Sequence, residues 1–157
     1  EQSSLYSSAL DLVNSIVMDK NLEKEQKLQF AAHDVLARIS LKYGSRLRAT
    51  CEAQSGVCEK EVGQMILRHL NVSMKLSQKV LNDSDLLGNA HYQTGLFCAF
   101  QAERMEKTNV SEQNNKSISM NWELSKRHFQ KAMSCFGRES DMYRISSQEY
   151  KRVVSSI

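Results

Sequence analysis

Not one proline occurs among the 157 residues, although an average protein uses about 5%. Proline has no amide hydrogen and its ring clashes with the preceding helical turn, so helix interiors exclude it. Its absence points to long helices, and the spacing of apolar residues agrees. Leu5, Ala9, Leu12, Ile16 and Val17 fall on one stripe of a helix with about 3.6 residues per turn. This first helix is expected to end near Asp19-Lys20-Asn21. A second takes Leu28, Ala31, Ala32, Val35, Leu36, Ile39 and Tyr43 as its apolar face, with Gly44 a candidate break or kink and the loop at Ser55-Gly56 a firmer end. Val62, Ile66, Leu70, Leu76 and Val80 mark a third, which stops at the capping residues Asn82-Asp83-Ser84. A fourth runs from about Asp85 to Lys107. The polar run Thr108 to Ser117 reads as the one long loop. Trp122, Phe129, Ala132, Met133 and Phe136 belong to a fifth helix. Met142, Ser146, Tyr150, Val153 and Ile157 belong to a sixth, capped by Ser140. No period-two alternation suggests strands.

The expected fold is therefore all-α: one domain over residues 1 to 157, with about six antiparallel helices as stacked hairpins or a bundle. The chain starts without Met and ends in an apolar helical pattern, so it is expected to be a piece of a longer protein.

Two segments repeat in the same order. Ala32-His33-Asp34-Val35-Leu36-Ala37-Arg38-Ile39 is similar to Ala90-His91-Tyr92-Gln93-Thr94-Gly95-Leu96-Phe97, and Ser77-Gln78-Lys79-Val80-Leu81 to Phe129-Gln130-Lys131-Ala132-Met133. His91 with Gly95, then Phe129 with Ala132, resemble the tetratricopeptide repeat. That family places a large residue and a small one four positions on in its first helix, then an aromatic with Ala three positions on in its second. His33 with Ala37 resembles the first half. The resemblance covers about residues 28 to 137 and is irregular. His33 to His91 spans 58 positions, where a regular repeat takes about 34, and no terminal proline occurs. It implies a binding surface on the concave side, lined by first helices.

Catalytic and cofactor chemistry finds little support. His91 and Cys98, like His128 and Cys135, stand seven residues apart. Seven residues keep one helical face but separate the side chains by about 10 Å, too far to serve one zinc ion with bonds near 2.0 to 2.3 Å. Buried packing accounts for them better, and no metal ligand, catalytic residue or cofactor is expected. Glu59 and Glu61 point apart on a helix, Asp83 and Asp85 suit a cap, and the six glycines form no phosphate-cradling loop. A net charge of +3 is too mild for a dedicated nucleic-acid binder. Arg38, Lys42 and Arg46 nevertheless form an i, i+4, i+8 row, and Lys75 with Lys79 a shorter one. These five are the candidate contacts for an acidic protein or peptide partner. Trp122, sharing a stripe with Phe129 and Phe136, reads as a core anchor.

No apolar run approaches the roughly 18 residues of a membrane span, and the start lacks a signal-peptide pattern. Four cysteines and four Asn-x-Ser sequons, at Asn71, Asn82, Asn109 and Asn115, permit a secreted, disulfide-bonded and glycosylated bundle acting as an extracellular ligand. Cys98 and Cys135 sit among apolar neighbours, where free thiols commonly pack, which favours an intracellular setting, cytoplasm or nucleus. Of the sequons, only Asn109 and Asn115 read as exposed acceptors. The expected role is a protein-interaction or scaffold module without catalysis of its own, docking a protein, a peptide or flanking repeats of its own chain. The alternatives are the secreted ligand and an accessory helical domain of a larger enzyme.

Overall fold

A computed structural model describes residues 8–15, 26–54, 60–108 and 112–156. These residues hold six helices and no strand: α1 (residues 8–15), α2 (Gln26–Ala53), α3 (Lys60–Leu76), α4 (Ser84–Thr108), α5 (Glu112–Cys135) and α6 (Asp141–Val154). A single π-helical segment, Ser77–Leu81, extends α3. The all-α class and the helix number agree with the reading of the sequence. The expected end of the first helix, the Ser55-Gly56 loop, Cys58, Glu59 and Asn109 lie outside the described residues.

Helix α2 runs through Gly44 to Ala53, close to the firmer end expected at Ser55-Gly56. Gly44 lets α3 come close: a Cβ there would lie 3.1 Å from Leu70 and 3.3 Å from His69. One boundary differs from expectation. The polar run 112–117 is helical, the first turns of α5. Lys116 is exposed and tolerates a solvated helix, and Ile118, half a turn further, anchors it by packing on the core.

Side-chain pairings fix how the helices run. Met105 meets Asn121, Glu106 meets Trp122, Gly95 meets Ser125 and His91 meets His128, so α4 and α5 are antiparallel. The α2 and α3 helices are antiparallel too, since Leu36 and Tyr43 share a cluster with Val72 and Leu76 while Cys51 lies with Ile66 and Leu70. By contrast α2 and α4 are parallel. Arg38 reaches Asp83 and Arg48 reaches Gln93, two contacts with the same separation of 45 residues. Further on, α6 packs on α5 and returns to α4 through Arg152 and Glu103. Helices α2, α4 and α6 thus share one layer, with α3 packed against α2 and α4, and α5 against α4 and α6.

The helices are held by three adjoining apolar clusters. Leu10, Val13, Leu36 and Tyr43 join α1 to α2; Cys51, Ile66, Leu70 and Phe97 join α2, α3 and α4. Ala99, Ala102, Trp122, Phe129 and Val153 join α4, α5 and α6. Trp122, Phe129 and Phe136 are all buried, as their shared stripe implies. Small residues set the spacing: Ala37, Ala90, Ala102 and Ala132 are fully buried, which lets ridges of one helix settle into grooves of the next.

Both proposed caps form. Asp83 Oδ1 accepts the Leu86 amide at 2.9 Å, and Ser140 Oγ accepts that of Tyr143 at 3.1 Å. Each satisfies an amide that the first helical turn would leave without a partner.

Candidate functional site

The layer of α2, α4 and α6 opens into a cleft of about 890 Å³. Its floor is Leu96 and Phe100 of α4. Four cations, Arg48, Arg104, Lys107 and Arg152, and three carboxylates, Glu52, Glu103 and Glu149, stand around it. Most of these charges are held in place. Arg48 pairs with Glu52 one turn away on α2 and donates its Nε–H to Gln93 of α4 at 2.9 Å. Arg152 donates to Glu149 at 2.8 Å and to Glu103 across the cleft. Although burial opposes its charge, those hydrogen bonds to Glu149 and Glu103 keep the guanidinium above its ordinary range. The Arg104 guanidinium lies over the Phe100 ring, 5.5 Å from its centre, a cation–π contact. The cleft is a preorganised surface with an apolar floor and alternating charge, and it contains no cysteine, serine or histidine nucleophile among its lining residues.

The cation row expected on α2 is divided. Arg38 and Lys42 line a second cleft, of about 670 Å³, beside Asp83, Asp85 and Asn89. Arg38 is already paired with Asp34 at 2.8 Å and Asp83 at 3.1 Å. Carboxylates therefore offset the positive charge there. Arg46 lies exposed further along α2 and lines neither cleft; Lys75 and Lys79 are exposed on α3 and its π-helical extension, likewise outside both. The five do not converge.

The seven residues around the larger cleft were not singled out from sequence. The Arg48–Glu52 and Glu149–Arg152 pairs are visible as i, i+4 and i, i+3 neighbours. What the sequence does not display is that helices two apart in the chain share one layer, which brings Arg48, Glu103 and Arg152 together.

Two histidines meet between α4 and α5. His91 Nδ1 and His128 Nδ1 are 3.0 Å apart, with ring centres 5.1 Å apart and planes inclined by 48°. Both bases are pushed down to about 4, by burial first and then, for His91, by His128 and Lys131, and for His128, by Lys131. At neutral pH both rings are uncharged. Cys98 is buried and its thiol pushed up to about 11 by that burial, so it stays protonated. Burial also raises the half-buried Cys135 thiol. Both thiols are free. Among the described residues no three His, Cys, Asp or Glu side chains gather around one point, and no helix is long and apolar enough to cross a membrane.

Of the sequons, Asn115 is exposed on the first turns of α5 rather than in a loop, and Asn71 is exposed on α3 while its Ser73 is fully buried. Compared with family models, with curated proteins and with solved structures, the chain finds no match in any of the three.

Proposed function

We propose that this chain is a protein-interaction module of helical-repeat type with no catalysis of its own, and that the cleft between α2, α4 and α6 receives its partner. The observation that carries the reading is the cleft itself: three helices presenting fixed, interleaved charges over Leu96 and Phe100. Such a surface suits a peptide or helix that carries carboxylates and one or two apolar side chains. A nucleic-acid backbone fits it poorly, because phosphates would meet Glu52, Glu103 and Glu149.

An irregular tetratricopeptide-like identity rests on the sequence pattern alone, His91 with Gly95 and Phe129 with Ala132. In that reading the first helices line the binding side, and flanking repeats of a longer chain are natural further partners. An intracellular setting is supported by the free thiols of Cys98 and Cys135.

Selection from a library of displayed random peptides tests the function. Enriched peptides are expected to be acidic and to bind the Arg104→Glu/Lys107→Glu chain at least about tenfold more weakly, a loss of about 1.4 kcal/mol. Arg38→Glu/Lys42→Glu, in the charge-compensated cleft, is expected to lose less. Failure to enrich any peptide, or equal binding by the Arg104→Glu/Lys107→Glu chain with its helicity intact, overturns the proposal.

A further inference from the structure

The contact of His91 with His128 is a hydrogen bond between two neutral rings, one Nδ1–H donating to the other Nδ1. Its geometry also meets the requirements of a chelate. Neutral imidazole is the form that coordinates copper, nickel and zinc. Metal–nitrogen bonds of about 2.0 to 2.1 Å that end on nitrogens 3.0 Å apart subtend roughly 90 to 100° at the ion. That is the angle between adjacent ligands in the tetragonal and square-planar fields preferred by Cu²⁺ and Ni²⁺. Both rings are fixed by helices that Gly95, Ser125 and Phe129 hold in close contact, so little side-chain freedom is lost on binding. The site is only half-buried, leaving water access to the remaining coordination positions.

We propose that His91 and His128 form a two-imidazole site for a divalent late transition-metal ion, with Cu²⁺ and Ni²⁺ as the matching class, and that the ion clamps α4 to α5. The nearby Lys131 ammonium opposes a dication, but Lys131 is exposed on the outer side of α5 and its charge is screened by water. Binding moves the shared proton from Nδ1 to Nε2 of the same ring. Two neutral rings before and after means that no proton leaves the protein at neutral pH. A thiolate site would instead release one proton for each cysteine that ligates.

Titration calorimetry of the whole chain with NiCl₂ at pH 7.5, repeated in two buffers of different ionisation enthalpy, tests the proposal. One ion per chain, with the same heat in both buffers, is expected, and the thermal unfolding midpoint should rise with the ion. His91→Gln and His128→Gln are each expected to weaken binding by about tenfold or more, the loss seen when even an outer partner of a metal site is removed. Should neither variant fold, the electron paramagnetic resonance spectrum of the wild-type chain with one equivalent of CuCl₂ decides, with hyperfine coupling to two imidazole nitrogens expected. No one-to-one binding, proton release on binding, undiminished affinity in both folded variants, or a copper spectrum without nitrogen coupling each overturns it.

Discussion

Single atoms decide much of this fold. A Cβ on Gly95 would lie 2.9 Å from the Phe129 ring, and that ring is fully buried with nowhere to move. Ser125 also donates its hydroxyl to the Gly95 carbonyl at 2.8 Å, holding the two helices at that separation. Gly95→Ala is therefore expected to destabilise the chain by about 1 to 3 kcal/mol despite the better helix propensity of alanine, as read by urea denaturation. The paired imidazoles give a second effect. Their bases fall from 6.5 to about 4 on folding, so between those values the unfolded chain binds more protons. Their contribution is present above about pH 6.5 and is lost as the pH falls toward 4. With metal chelated, stability is expected to drop by on the order of 2 kcal/mol between pH 7 and 4.5, a figure reduced to allow for solvent access. A His91→Gln/His128→Gln chain should lose most of that slope. Sequence made Gly95 visible as a small residue at a close approach, and the histidines visible one by one. Their meeting depends on the rotation of α4 against α5, which no local pattern encodes.

Helices were the most legible level because proline's absence and apolar spacing act locally. Local preference and packing compete at particular residues. Gly44 has the residue type of a break, yet α2 continues through it and its missing side chain makes room for Leu70. The run 112–117 has loop composition, yet it is helical, with Ile118 and Trp122 just beyond it packed in the core. The junction between α3 and α4 shows local chemistry prevailing. Ser77 Oγ donates to the Ser73 carbonyl at 2.7 Å, a side-chain bond that loosens a helical turn, and the chain widens into the π-helical segment there. It leaves through Asn82 at φ 51°, a left-handed conformation asparagine tolerates. Asp83 then caps α4. Asp83→Ala is expected to cost about 1 kcal/mol, nearly all from the lost cap, because its pairing with the exposed Arg38 contributes little. Thermal unfolding of Asp83→Ala beside Asp83→Asn separates the two, since asparagine keeps the cap and loses the charge.

At the scale of the molecule, the grouping of α2, α4 and α6 explains why the candidate site escaped a reading by rows. Arg38, Lys42 and Arg46 follow one another on a single helix, whereas the larger cleft draws on helices that are second neighbours in the chain. The proposed module role is tied to that cleft rather than to one row of cations. The state of the cysteines belongs to this scale too. On unfolded, unreduced protein all four are expected to titrate as thiols, and on folded protein Cys98 is expected to react far more slowly than the half-buried Cys135, given its burial and raised base. Two or fewer reactive thiols in the unfolded chain would favour the secreted bundle instead. The wide turn at Ser77–Leu81 has one more consequence. Its carbonyl at Ser77 accepts both the Asn82 and the Asp83 amides, so the turn accommodates one residue beyond an ordinary helical turn. Deleting that residue would rewind the backbone, swing Asp83 about 100° around the axis, and carry the whole of α4 out of step with α2. Five residues far from the larger cleft thus act as the spacer that decides whether Arg48 still finds Gln93.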